Sequence, residues 1–366
     1  MAERSSGLEG VVVAETRLSD VDGEAGRLVI AGRDVEDLAG RVSFEAVAGA
    51  LIEGQRSPAF AETMRRALGE ARGRAWAALL PLWRDALGLG DGMAALRAGV
   101  ALLERDDDPM DIVGAIAVFA AAWARRARGL PLVAPDPAAG HAADYLRMIT
   151  GQAPDSAVAR ALDAYLVTVV DHGMNASTFT ARVIASTGSD MVSAITGAIG
   201  ALKGPLHGGA PGEVLGMLDA VGTPDRADAW IAAELAAGRR IMGMGHRIYR
   251  VRDPRAAVLE REVTGLQRAG IEAAHLDLAR AVEAAAERRL AERHPDRPLR
   301  ANVEFYTAVL LHALRISRAA FSPTFAVARA AGWCAHVREQ RATGRLIRPS
   351  SKYVGARWAI AGDGAA

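Results

Sequence analysis

The sequence predicts a mainly α-helical protein opened by a small β-hairpin, on three observations. From residue 34 onward, apolar residues recur at three- and four-residue spacing in alanine-rich stretches, with Pro, Gly or Asp at the breaks. Aromatic residues make up 5% of the chain and β-branched runs are few, which argues against a sheet-based fold. The longest apolar run, "IVGAIAVFAAAWA" at residues 112–124, is apolar all round and lies between Asp111 and Arg125. It is too short to span a bilayer as a helix, so it is expected to thread the centre of a large core.

Taken in order, the elements begin with "VVVAETRL" and "RLVIAG" around "DVDGEAG", whose Asp-Gly step signals the turn of a hairpin within residues 11–31. Helices are then expected in "SFEAVAGALIEG", "GMAALRAGVALLER", "DSAVARALDAYLVTVVDHG", "DRADAWIAAELAAG" and "SPTFAVARAAGWCAHVREQ". The proline-bearing stretches at residues 128–140 and 294–301 are expected linkers. Two other breaks are dense in glycine and each holds a histidine: "KGPLHGGAPG" (203–212) and "MGMGHRIYR" (242–250). Such breaks let backbone approach a ligand, so chemistry is sought there.

The chain has 366 residues, 51% of them hydrophobic and 24% charged, which suits a soluble globular protein with a large core. Its 44 Lys and Arg against 43 Asp and Glu are spread along the chain. No broad field exists to attract nucleic acid or an anionic membrane, so anion binding must be local. One cysteine, Cys334, allows no internal disulfide and no thiolate metal cluster, which fits a reducing cytoplasm. The N-terminus mixes charges early and does not have the pattern of a signal peptide.

Each candidate constellation has a plain structural reading beside the functional one. His207 in "KGPLHGGAPG" could present a ring nitrogen to a substrate oxygen, or sit incidentally on a tight turn. In "MGMGHRIYR", His246 is followed by Arg247, Arg250 and Arg252: a loop for phosphate, or a solvated basic turn. Asp253 and Pro254 suit the start of a helix, which puts Arg255 in a first turn where a cation opposes the dipole and an anionic partner would relieve it. "VVDHGMNAST" gathers Asp171, His172, Asn175 and Ser177 in one break, where Asn and Ser also serve as caps. Glu304 in "ANVEFYTAV" shares a helical face with Thr307, Ala308 and Leu311; alone, it reads as a first-turn acid behind an Asn302 cap. No zinc-protease pair, dinucleotide fingerprint, P-loop or nucleophile elbow is present.

Together, "GLEGVVVAETRLSDVDGEAGRLVIAGRDVEDLA", "DHGMNASTFTARVIAST", "GALKGPLHGGAP", "MGMGHRIYRVRDPRA", "NVEFYTAV", "FAVARAAGWCAHVREQ" and "LIRPSSKYVG" resemble, in order and over nearly the whole chain, the citrate synthase family in its short bacterial and archaeal form. The resemblance implies a helical homodimer, each subunit having a large domain (1–207 and 311–366) and an inserted small domain (208–310) that closes over the cleft. It implies condensation of acetyl-CoA with oxaloacetate and hydrolysis of the thioester to citrate and CoA, with no cofactor and no metal. It assigns Glu304 as base, His207 as donor to the enolate, and His246 and His172 as oxaloacetate ligands. Arg255, Arg329 and Arg348 become carboxylate clamps, the last from the second subunit. Asn175 and Ser177 fall on the oxaloacetate side, and Gly243, Met244, Gly245 and Arg250 on the CoA side.

Two departures bear on the reacting centre. Glu304 stands where the family's usual base is an aspartate, as in a Glu-bearing subset, and Pro211 replaces the asparagine of the common "HGGAN". Propionyl-CoA remains a competing substrate, giving 2-methylcitrate, because one methylene changes binding in an apolar pocket by only about 1–3 kcal/mol. A catalytically silent dimer is the alternative of another class, against which the retained His207, His246, Glu304 and three arginines weigh.

Overall fold

A computed structural model describes residues 7–8, 10–103, 108–207, 210–296 and 299–356. Among them the chain forms fifteen α-helices behind a three-stranded antiparallel sheet. Its strands are Ser19–Asp22, Arg27–Ile30 and Arg33–Asp34. The expected hairpin is present, with Ser19 opposite Ile30 and Asp22 opposite Arg27. Asp22 Oδ1 accepts from the backbone N–H groups of Glu24 (3.2 Å) and Ala25 (2.9 Å), closing the turn. Its first strand begins at Ser19, later than the valine-rich segment suggested. Val11 and Val12 are exposed and have no cross-strand partner among the described residues, so β propensity there has nothing to pair with.

The helices begin where short polar side chains can accept orphan N–H groups. Ser43, Ser57, Asp91, Asp108, Asn175, Asp190, Asp253 and Asn302 each cap a helix this way. Each cap is worth about 1 kcal/mol. The apolar run lies inside helix Pro109–Arg126, which is buried from Ile112 to Ala124, as its composition requires. Helix Pro58–Leu79 crosses it at Gly114, where a Cβ would come within 2.9 Å of Ala71 Cβ and of the Arg72 amide nitrogen. Helix Gly92–Val100 is shorter than its periodicity suggested. Residues 104 and 105 of that stretch lie outside the described residues.

Both proline-bearing linkers are irregular in their described parts. No helix among the described residues is long and apolar enough to cross a membrane. Helix Phe321–Thr343 is buried along most of its length and packs on helices Pro109–Arg126, Ala176–Ser186 and Phe44–Glu53. Cys334 is fully buried in it, where burial pushes the thiol pKa up, so the residue packs and does not react.

Candidate active site

Five segments far apart in sequence deliver the charged and imidazole groups to one buried place. His172 follows helix Ser156–Val169, His207 follows helix Met191–Leu202, and His246 lies in the glycine-rich loop. Arg255 and Glu304 open helices Pro254–Arg268 and Val303–Ala313, and Arg329 lies inside Phe321–Thr343. The His172 and His246 rings are 5.6 Å apart, edge to face. His172 feels Arg255, His246, Arg329 and His207 together, and burial among these groups drives its pKa well below the ordinary value.

The loop and the Glu304 helix are built as one piece. Gly243 and Gly245 adopt φ of +73° and +85°, and Met244 bridges to Ala301. Asn302 caps the helix through Oδ1 to the Glu304 N–H (3.0 Å), while its Nδ2 donates to Gly245 O (2.8 Å) and its backbone N–H to Gly243 O (2.9 Å). The expected cap is therefore also the strap that fixes the loop. The hairpin turn buttresses the same loop from outside: the Arg250 N–H donates to Gly23 O (3.0 Å), and a Cβ on Gly23 would sit 2.4 Å from Ile248 O.

Asp253 accepts from Arg255 Nε (3.0 Å), Arg255 Nη2 (2.8 Å) and the Val303 N–H (3.1 Å), so one buried carboxylate aims Arg255 and joins the two helix starts. Arg329 is buried in another way. Among the described residues its only hydrogen bond is from Nε to Val169 O (2.6 Å), and burial lowers its pKa to about 10. Its helix comes this close because Gly332 has no side chain; a Cβ there would be 2.1 Å from Val170 O.

Tautomers follow from the hydrogen-bond partners. His246 Nδ1 accepts the backbone N–H groups of Ile248 (3.0 Å) and Tyr249 (3.1 Å), so its proton sits on Nε2. His207 Nε2 accepts the Ser177 N–H (3.2 Å) and lies 2.8 Å from Ser177 Oγ, so its proton sits on Nδ1. Burial lowers both pKa values to about 4, with Arg329 acting on His207 and Arg255 on His246, so both rings are neutral at pH 7. His246 Nε2 and Arg255 Nη2, 3.4 Å apart, are then two donors facing a common space, the arrangement an oxygen acceptor would occupy.

Glu304 Oε2 is buried with no hydrogen-bond partner among the described residues. Burial, with Asp253 adding to it, raises the Glu304 pKa to about 7 against the pull of Arg255 and Arg329. A buried carboxylate that is half-ionised near neutrality and unpartnered is suited to taking a proton.

Of the other sequence-predicted residues, Asn175 caps helix Ala176–Ser186 through Oδ1 (3.1 Å to the Thr178 N–H) and braces the loop by donating to Gly173 O (3.2 Å). Ser177 reaches Asn175 Oδ1 (2.8 Å) and holds His207. Arg250 is exposed, 3.9 Å from Glu24. Arg348 is exposed in the irregular segment after helix Phe321–Thr343 and has no hydrogen bond or ion pair among the described residues. Sequence reasoning missed Tyr249, whose hydroxyl lies 3.1 Å from His172 Nε2, and Trp333, whose Nε1 donates to Ser177 Oγ (3.1 Å). It also missed His336, whose Nε2 donates to Asp171 (3.1 Å). All three lay inside quoted motifs, but none was singled out, since a tyrosine after the histidine loop and a Trp and His at helical spacing from Arg329 carry no signal of their partners. No cluster of three His, Cys, Asp or Glu suited to a metal occurs among the described residues.

A family model described as "Citrate synthase, C-terminal domain" matches residues 7–350. The chain is 38% identical to the citrate synthase of Haloferax volcanii, with 96% of each covered. It is 36% identical to a 2-methylcitrate synthase of Mycobacterium tuberculosis, over 95% of this chain and 90% of the relative. The structure of the Thermoplasma acidophilum citrate synthase in ternary complex with carboxymethyl coenzyme A and oxaloacetate superposes with a TM-score of 0.87, at 26% identity and with 98% of each chain covered.

Proposed function

The chain belongs to the citrate synthase family, acyltransferases that condense acetyl-CoA with oxaloacetate, and from that premise we propose how its own residues perform the reaction. The observation that carries the proposal is the unpartnered Glu304 carboxylate, its pKa about 7, set among two buried arginines and the N–H groups of neutral histidines. Arg255 and Arg329 grip the carboxylates of oxaloacetate, and His246 Nε2–H polarises its ketone beside Arg255. His172 completes the oxaloacetate side, with Asn175 and Ser177 bracing the loop that carries it.

Glu304 removes a proton from the acetyl methyl group while His207 Nδ1–H donates to the thioester oxygen, so the developing enolate meets a fixed donor in a dry site. The enolate carbon then attacks the ketone carbon, and water cleaves the resulting thioester to release citrate and CoA. CoA lies along Gly243, Met244 and Gly245, with Arg250 free to exchange Glu24 for a phosphate. Glutamate reaches one methylene further than aspartate, and the Asn302 strap fixes the helix start from which it reaches.

The working molecule is a cytoplasmic homodimer without a cofactor. Arg348, idle in its own chain, reaches the site of a second copy, and residues 208–310 form the small domain that closes over the substrates. The test is release of free thiol from acetyl-CoA and, side by side, propionyl-CoA, each with and without oxaloacetate. Thiol release from acetyl-CoA that requires oxaloacetate is expected. Faster release from propionyl-CoA would favour the 2-methylcitrate reading, which the M. tuberculosis relative supports. Release from neither would leave the silent dimer.

A further inference from the structure

Three imidazoles line the site, and each can offer an N–H to an anionic substrate only if its other nitrogen is kept occupied. For His207 and His246 the occupying donors include backbone N–H groups, of Ser177 and of Ile248 and Tyr249. His172 has no such anchor. Its one ring hydrogen bond among the described residues is between Nε2 and the Tyr249 hydroxyl, at 3.1 Å.

That hydroxyl has no other hydrogen-bond partner among the described residues, so its own proton has one acceptor to go to, the lone pair of His172 Nε2. The His172 proton is then left on Nδ1. Tyr249 is 2% exposed, so water does not compete for this bond. The same residue holds two other members of the site. Its ring lies against His246 at 4.7 Å, and the Arg255 guanidinium stands 5.9 Å from its centroid.

Resting on the oxaloacetate-binding role given above to His172 and His246, we propose that Tyr249 is a positioning residue, whose hydroxyl fixes His172 as the Nδ1–H tautomer and so supplies, beside His246 Nε2–H, the second imidazole N–H that recognises oxaloacetate. It touches neither acyl-CoA nor the reacting carbon in this role. Its removal should be felt as a loss of oxaloacetate recognition and not as a loss of the base.

Tyr249→Phe deletes the one hydroxyl and keeps the ring that packs on His246. Losing a single buried hydrogen bond of this kind predicts a rise in the KM for oxaloacetate of about three- to tenfold, at least threefold larger than any change in the KM for acetyl-CoA. Nitrogen-15 NMR of imidazole-labelled full-length protein, with His172 assigned by His172→Asn, should show a bare Nε2 and a protonated Nδ1 at neutral pH. In Tyr249→Phe the two His172 nitrogen shifts should move toward averaged values while those of His246 stay fixed. A protonated Nε2 in the wild type, or unchanged His172 shifts in the variant, would overturn the proposal. Should Tyr249→Phe fold poorly, the wild-type shifts alone decide it. If His172→Asn leaves the KM for oxaloacetate unchanged, the substrate role of His172 fails instead, and the nitrogen shifts still decide whether Tyr249 sets its tautomer.

Discussion

Two clusters of buried charge in this molecule look alike in composition and differ in how they are satisfied. Around Arg72 every nitrogen of the guanidinium is engaged: Nε meets Asp144 Oδ2 (2.7 Å), Nη1 meets His141 Nδ1 (3.2 Å), and Nη2 donates to the carbonyls of Ala139 (2.8 Å) and Asp136 (3.3 Å). Around Arg329 the guanidinium makes one bond to a carbonyl, no carboxylate pairs with it among the described residues, and Glu304 Oε2 stands without a partner. The first cluster ties helices together. The second leaves donors and one base facing a space, at a cost in stability that only a bound anion removes. The contrast lies in the guanidinium: one bonded through every nitrogen reads as structural, and one bonded only to a carbonyl beside an unpartnered carboxylate reads as a candidate site.

The contrast can be broken chemically, and the largest effect is expected at Glu304. Glu304→Gln should lower kcat by about a hundred- to ten-thousandfold with the circular dichroism spectrum unchanged, since the amide keeps the shape and cannot take a proton. Turnover within a few-fold of wild type would remove Glu304 from the mechanism. Next come the two arginines. Arg72→Met removes the bonds to Asp144 Oδ2, His141 and two carbonyls, leaves Asp144 held by Arg147 and the Asp136 N–H, and should destabilise the fold by about 2–4 kcal/mol, whereas Arg329→Met leaves no paired carboxylate behind and should change stability by less than about 1 kcal/mol. Denaturant titration of both variants checks this, and equal losses would erase the distinction.

Acidity sharpens the comparison further. Glu304 must be ionised to act, so kcat/KM for acetyl-CoA should rise with pH through about pH 7 and level off above it. A flat profile from pH 6 to 8 would contradict the raised pKa. The smallest effect is on stability. The folded pKa of Glu304 is raised from an ordinary 4.5 to about 7, so the stability of the wild type relative to Glu304→Gln should fall as pH rises across that window. His207 and His246 act oppositely. Their folded pKa values, about 4 against an ordinary 6.5, mean that the stability they contribute is lost as pH falls from about 6.5 toward 4. Thermal melts across pH 4 to 8 read both trends.

The scaffold was largely legible in the sequence because its signals are local. Ser43, Asp253 and Asn302 sit one residue before their helices, and the all-apolar run of helix Pro109–Arg126 could only be central. The hairpin start was misplaced because Val11 and Val12 have strand propensity without a partner, and pairing is not a local property. The histidine-bearing glycine breaks and Glu304 were legible as candidates, and the motif order supplied their roles. Tyr249, Trp333 and His336 were not, because the partners that define them lie 77, 156 and 165 residues away in the chain. Arg348 is legible only through resemblance, since it has no hydrogen bond or ion pair among the described residues.

The claim that the unpaired charges around Arg329 await a dianion is tested most directly by calorimetric titration of oxaloacetate into the wild type and Arg329→Met. Losing a two-pronged carboxylate grip predicts saturable binding to the wild type and affinity weaker by roughly a hundredfold or more in the variant, with both proteins folded. Equal affinity for the two proteins would contradict the account.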